Sequence, residues 1–182
     1  MTDPARPPGG ILRYVIPTER LRLHPASPAD ARQLAHGGDG GWRWLGGGPG
    51  SGTRDLAGIV ERADDVGWHR PPWGLFVVVR TADGVAVGGS GFHGPPDALG
   101  SVEVGYELDP AARGLGYATE TLVALTGFAF THPAVRSVTA STHPENTASQ
   151  GVLRRAGFTR QDDLDGPYGG PRDGLHRYRV DR

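Results

Sequence analysis

Asp109-Pro110-Ala111-Ala112-Arg113-Gly114-Leu115-Gly116-Tyr117-Ala118-Thr119-Glu120 sets an arginine and two glycines between a strand and a helix. The strand is Val102-Glu103-Val104-Gly105-Tyr106-Glu107-Leu108, the cleanest alternation in the chain. Val102, Val104, Tyr106 and Leu108 share one of its faces, and Glu103, Gly105 and Glu107 share the other. Pro110 cannot donate to a sheet ladder, so the strand ends there. From Gly116 the spacing of Ala118, Leu122, Leu125 and Ala129 predicts a helix to about Phe130. Glycines let backbone N–H groups approach a ligand, and a helix N-terminus carries a partial positive charge of about half a unit, so this context suits an anion. Arg113 would add a fixed cation at its mouth. Taken alone, a Gly-x-Gly also makes nothing more than a turn. A dinucleotide fingerprint fits badly, because Thr119 stands where Gly or Ala is needed and no acid follows at residues 139–141.

Working outward, Ser27-Pro28-Ala29-Asp30 has a helix-start signature, with Ser as N-cap and Pro in the first turn. A further helix is predicted over Thr53 to Val66. Trp73 to Arg80 and Val85 to Phe92 read as strands joined at Ala82-Asp83-Gly84, a hairpin turn signal. Val135 to Ser141 reads as a strand and Thr147 to Ala156 as a helix stopped by Gly157. Short closing strands are expected near Phe158 and over Leu175 to Val180, around a Gly/Pro loop at 165–174. This order implies a central mixed sheet with helices on its faces. At 182 residues the chain is expected to be one domain over 18–182, preceded by a flexible arm over 1–17 rich in Pro and Gly.

Composition excludes several chemistries. All 19 basic residues are arginine, so a Gly-Lys-Ser/Thr phosphate loop and any lysine nucleophile are impossible. The absence of cysteine removes disulfides, thiol catalysis and cysteine-ligated metals. The seven histidines lack His-x-x-x-His spacing, so no metal is expected. A net charge of −1 gives no electrostatic reason for nucleic acid or an anionic membrane as partner. No apolar run is long enough for a membrane helix, and the first ten residues lack a secretory h-region. A cytoplasmic protein is expected, and arginine-only basic usage with abundant Gly, Ala and Pro suggests a bacterial source of high GC content.

A second segment, Pro144-Glu145-Asn146-Thr147-Ala148-Ser149-Gln150-Gly151-Val152-Leu153-Arg154-Arg155-Ala156-Gly157-Phe158, adds to the first. Together with Thr18-Glu19-Arg20-Leu21-Arg22-Leu23, the Val102–Pro110 strand and Arg113-Gly114-x-Gly116-Tyr117-Ala118-Thr119-Glu120, it makes the chain resemble the GNAT acetyltransferase superfamily. The branch it looks closest to is that of the ribosomal-protein N-terminal acetyltransferases, and the likeness spans roughly residues 18–160. The resemblance implies an α/β fold with a mixed, mostly antiparallel sheet of six or seven strands, splayed at its centre and flanked by about four helices. It implies acetyl-CoA as acyl donor, with Arg113, Gly114, Leu115, Gly116, Tyr117 and Ala118 cradling its diphosphate. Leu108 would meet the pantetheine arm through its backbone, and Asn146 would hydrogen-bond that arm. Phe158 would close the helix against the sheet.

The chemistry then assigns roles. An amine attacks a thioester only when neutral, and the leaving thiolate needs a proton or a hydrogen bond. Glu103 is the candidate base, directly or through a water; Glu107, on the same face, is the weaker candidate. Either residue also fits a plain strand carboxylate. Many members of the superfamily carry a tyrosine acid seven residues after the asparagine, where this chain has Leu153. In the resembled branch a serine three residues after the asparagine lies near the sulfur, and Ser149 matches it; a helix serine bonded to a backbone carbonyl is the plainer alternative. Trp42, Trp44, Trp68 and Trp73 either line an acceptor cleft or simply pack. The expected acceptor is an amine, foremost a protein N-terminal α-amino group, in a monomer or homodimer without nucleic acid, membrane or metal. A small-molecule amine, a silent acyl-CoA-binding module and a nucleotide-binding domain stay open.

Overall fold

The computed structural model describes residues 14–161 and 174–182. Its strands are β1 (Ile16–Pro17), β2 (Leu21–Pro25), β3 (Leu75–Arg80), β4 (Val85–Phe92), β5 (Ser101–Leu108), β6 (Ser137–Thr142), β7 (Thr159–Arg160) and β8 (His176–Asp181). Its helices are α1 (Pro28–Ala35), α2 (Ser51–Asp65), α3 (Tyr117–Phe130) and α4 (Thr147–Arg155). The strands form one sheet in the order β1-β2-β3-β4-β5-β6-β8-β7. Every neighbouring pair is antiparallel except β5 and β6. The count reaches eight because of β1, a two-residue edge strand too short to be read from a periodicity; β7, at the other edge, is the short strand expected near Phe158.

Local signals act where expected. Ser27 caps α1 in a reciprocal box: its hydroxyl accepts from the Asp30 N–H at 3.2 Å, and the Asp30 carboxylate accepts from the Ser27 N–H at 2.9 Å. Gly84, at φ 68°, closes the β3–β4 hairpin. Three expectations need adjustment. The arm expected over 1–17 ends earlier, since Ile16 and Pro17 pair with Leu23 and Arg22; residues 1–13 lie outside the described residues. Helix α2 starts at Ser51, two residues ahead of the predicted Thr53, because its first turn is capped from β5 rather than by its own Gly50. The loop expected at 165–174 lies almost wholly outside the described residues.

The sheet buries both faces. One carries Leu23, Phe76, Val78, Phe92, Val102, Val104 and Leu108 against α3 and α4, through Leu122, Leu125 and Leu153. The other carries Leu75, Val77, Val79 and Ala86 against Leu34 of α1 and Leu56 and Val60 of α2. Strand β4 is buried throughout, which explains its glycines as sites of close approach. A Cβ at Gly89 would lie 2.6 Å from Thr53 Cγ2, and one at Gly91 would run into the Gly74 carbonyl. The bare position at Gly89 lets α2 settle directly over β4, while that at Gly91 lets the backbone entering β3 come close.

Candidate active site

The parallel pairing of β5 with β6 covers only Ser101–Glu103 against Ser137–Thr139. Beyond Glu103 the strands diverge, while β5 stays paired to β4 as far as Leu108. The edge of β5 from Val104 onward thus opens into a wedge. A cavity of about 820 Å³ fills it, lined by Tyr106, Glu107 and Leu108 and by Arg113, Gly114, Gly116, Tyr117 and Ala118 of the loop and helix start. Asn146, Ser149 and Arg155 of the α4 segment close the other wall.

Eight of the ten residues singled out from the sequence, all but Glu103 and Leu115, therefore meet around one cavity. Gly114 and Gly116 take φ of 75° and 82°, the left-handed region where an L side chain is strained. Gly116 is the N-cap of α3, so the first N–H groups of a fourteen-residue helix face the wedge with no Cβ over them. Leu115 does not line the cavity; its side chain is exposed and its carbonyl accepts from Arg20 Nη1 at 2.9 Å. Arg113 turns back along the loop, and its Nε donates to the Leu108 carbonyl at 3.0 Å. The loop is held from outside by Arg20, which bonds the Glu120 carboxylate through Nε at 2.8 Å and stacks over the Tyr117 ring at 4.8 Å. The Thr18 hydroxyl and the Arg20 N–H both donate to the same carboxylate. That clamp is the structural part played by the Thr18–Leu23 segment.

On the far wall Asn146 caps α4, its Oδ1 accepting from the Ser149 N–H at 3.0 Å. The Ser149 hydroxyl lies 2.7 Å from the Tyr106 hydroxyl, and Tyr106 also reaches the Ser149 carbonyl at 3.4 Å. Burial pushes the Tyr106 phenol above its ordinary range, against the opposing pull of the Ser149 hydrogen bond, so it stays protonated. Leu153, where many of the superfamily have a tyrosine, is buried in the core. The phenol comes instead from β5, across the cavity. The strand alternation puts Tyr106 on the face of Val102, Val104 and Leu108, and nothing local marks its hydroxyl.

The carboxylates of β5 part ways. Glu107 lines the wedge and accepts from the Thr53 N–H at 3.0 Å, capping α2. Glu103 sits on the paired part of the strand, off the large cavity; Ser141 Oγ donates to it at 3.0 Å and His93 Nδ1 lies 3.5 Å away. The His93 contact, with help from Ser141 and Arg177, holds its pKa below the ordinary carboxylate value despite burial. A smaller cavity of about 430 Å³ adjoins the wedge, sharing Glu107 and Leu108 with it. Trp44, the glycine run 46–50 and Asp109 complete its walls. Of the four tryptophans Trp44 alone lines it; Trp42 is buried, Trp73 packs on Phe92 and His132, and Trp68 is exposed. Among the described residues no three His, Cys, Asp or Glu side chains gather as a metal site, and no helix is long and apolar enough to cross a membrane.

A mixed sheet parted beside a glycine loop and a helix N-terminus defines the GNAT class of fold. The sequence matches the acetyltransferase (GNAT) domain over residues 20–159, and the chain belongs to that family. Among curated proteins it is 32% identical over 83 residues to the uncharacterized N-acetyltransferase YjdG of Bacillus subtilis, covering 46% of this chain and 49% of that one. It is 26% identical over 103 residues to the uncharacterized N-acetyltransferase p20 of Bacillus licheniformis, covering 57% of each. The chain thus spans about half the length of the curated relatives it matches. Among solved structures, an acetyltransferase from Agrobacterium tumefaciens superposes with a TM-score of 0.63 at 26% identity, over 97% of this chain and 99% of that one. RimL, a ribosomal L7/L12 α-N-protein acetyltransferase solved with coenzyme A, has the same fold, with a TM-score of 0.63 at 18% identity over 92% and 98% of the two chains.

Proposed function

We propose that this chain transfers an acetyl group from acetyl-CoA to a primary amine, foremost the N-terminal α-amino group of a protein, by direct attack within a ternary complex. The observation that carries the reading is the convergence on one wedge of an unpaired strand edge, a bare glycine loop at a helix N-terminus and a hydrogen-bonded hydroxyl pair. The residues fit the donor: N–H groups of the first turn of α3, with Arg113 and Arg155 nearby, answer a diphosphate, and the β5 edge answers an amide-bearing arm. Asn146, whose Oδ1 is engaged by the Ser149 N–H, presents its amide N–H₂ as a donor to that arm. Leu108, at the end of the open edge, contributes backbone.

Within the wedge Ser149 stands ready to donate to the departing sulfur, and Tyr106 resupplies it along their 2.7 Å bond. A backbone N–H on the open β5 edge serves the oxyanion. The acceptor enters on the opposite side of β5, through the smaller cavity lined by Trp44 and the glycine-rich 46–50 loop. RimL, whose name describes α-N-protein acetylation, shares this fold, which supports a protein N-terminus as acceptor. We place the protein in the cytoplasm.

The test is a panel of peptides with free N-termini and of small amines, each with acetyl-CoA, read by thiol release and by mass of the product. Amine-dependent thiol release with a +acetyl peptide is expected. Coenzyme A binding without release for any amine would leave a silent acyl-CoA-binding module, and acetylation of small amines alone would move the acceptor class.

A further inference from the structure

A base for this reaction has to stand on the acceptor face of β5, where the wedge begins. The pairing to β6 ends at Glu103, so the next residue on that face is Gly105, which has no side chain. His93, just past the end of β4, covers the bare position: a Cβ built on Gly105 would lie 2.9 Å from His93 Nε2 and 3.6 Å from Leu56 of α2. The imidazole is fixed at its other end. The His93 N–H donates to the Glu103 carbonyl at 3.0 Å, and Nδ1 lies 3.5 Å from Glu103 Oε2. Ser141 of β6 donates to the remaining oxygen, Oε1, and Arg177 of β8 adds positive potential at the carboxylate. Glu107, the other carboxylate of that face, already accepts from the Thr53 N–H.

We infer that His93 is the general base, acting through Nε2, and that Glu103 is its positioning residue. Resting on the acetyl-transfer reading above, this gives Glu103 its part in the chemistry through the imidazole. An anionic Glu103 draws the Nδ1 proton toward itself, which leaves the Nε2 lone pair over Gly105, one residue past the point where β5 parts from β6. Of the two protons the attacking nitrogen sheds, one passes through Nε2 to solvent. The other makes good the proton that the thiolate takes from the Ser149–Tyr106 pair. The nitrogen lone pair forms the C–N bond and the C–S pair leaves on sulfur. His93 and Glu103 side chains are 39% and 41% exposed, so water reaches the dyad to carry the released proton away.

Two measurements test the assignment. With acetyl-CoA and hexapeptides bearing free N-terminal serine, alanine or methionine, His93→Gln should lower kcat by about 10²–10⁴ while KM for acetyl-CoA holds. Glu103→Gln should lower kcat less, and Glu103→Asp should recover part of the loss. Independently of turnover, imidazole ¹⁵N NMR of the wild type should show the proton of neutral His93 on Nδ1. Glu103→Gln, whose amide donates to Nδ1, should move it to Nε2, and kcat should fall with that switch while KM for acetyl-CoA holds. Wild-type turnover in His93→Gln, or a wild-type His93 carrying its proton on Nε2, would overturn the assignment. A wild type that acetylates none of the peptides defeats the acceptor reading alone, and His93→Gln is then read with a small amine that the wild type acetylates.

Discussion

Tyr106 and Ser149 face each other across the wedge with their hydroxyls 2.7 Å apart, joining the open edge of β5 to the first turn of α4. The pair couples the two walls between which the pantetheine arm is proposed to lie. In the proposed reading it gives a chain with leucine at position 153 a phenol for the departing sulfur.

Tyr106→Phe keeps the ring and its packing and removes only the hydroxyl. Thiolate, with a pKa of about 8.5, is already a fair leaving group, so a kcat loss near the low end of acid catalysis, about tenfold to a hundredfold, is expected. Because the hydroxyls act as one relay, Tyr106→Phe combined with Ser149→Ala should cost little more than the worse single variant. Steady-state kinetics showing fully additive losses would separate their roles.

Asn146 combines a cap with a proposed ligand contact, and two substitutions tell these apart. Asn146→Ala should cost about 1 kcal/mol of stability and weaken coenzyme A binding. Asn146→Asp keeps the acceptor for the Ser149 N–H, so stability should hold while coenzyme A affinity falls for want of the N–H₂ donor. Urea denaturation alongside calorimetry reads both quantities, and undiminished affinity in Asn146→Asp would remove Asn146 from the binding set.

At Gly116 the backbone φ of 82° disfavours any side chain, and a Cβ there would also come within 3.3 Å of Arg20 Nη2. Gly116→Ala should therefore destabilise by about 1–2 kcal/mol. Gly116→Asp adds a negative charge where the diphosphate is proposed to lie, and coenzyme A affinity should drop by far more than the alanine variant shows. Equal affinities in the two folded variants would place the diphosphate elsewhere.

Glu120 is desolvated by its surroundings, but the Thr18 hydroxyl and the Arg20 N–H and guanidinium outweigh this and hold its pKa below the ordinary value. A carboxylate with a depressed folded pKa stabilises the fold above its unfolded pKa, about 4.3, and loses that contribution as pH falls through the folded value. Glu120→Gln should cost about 1–2 kcal/mol at pH 7, discounted for the solvent that reaches Arg20. The gap from wild type should close in acid. Thermal melts at pH 7 and pH 3 check this, and a gap that widened in acid would contradict the assigned hydrogen bonds.

Turnover should survive EDTA, since the proposed chemistry uses only side-chain and backbone groups. Loss of rate that added zinc restores would require a different mechanism.

What the sequence determined by itself was local. Alternation over Val102 to Leu108, the Ser27 cap, the 82–84 turn and the Gly114-x-Gly116 entry to α3 each follow from backbone preferences and side-chain period within a few residues. They located the strand, the loop and the helix start, and hence six residues of the wedge, Leu108, Arg113, Gly114, Gly116, Tyr117 and Ala118; Asn146 and Ser149 came with the family resemblance. Tertiary structure decided the contacts that give those residues their tasks. Tyr106 meets Ser149 across 43 positions, Arg20 meets Glu120 across 100, and Glu107 reaches over 54 to cap α2. No window of sequence carries those pairings, because they depend on how far β5 stays paired to β6 and on where α2 settles over the glycines of β4. The same holds for His93: its backbone is tied to Glu103 by sheet register, and its imidazole covers Gly105 because a neighbouring strand leaves that position bare.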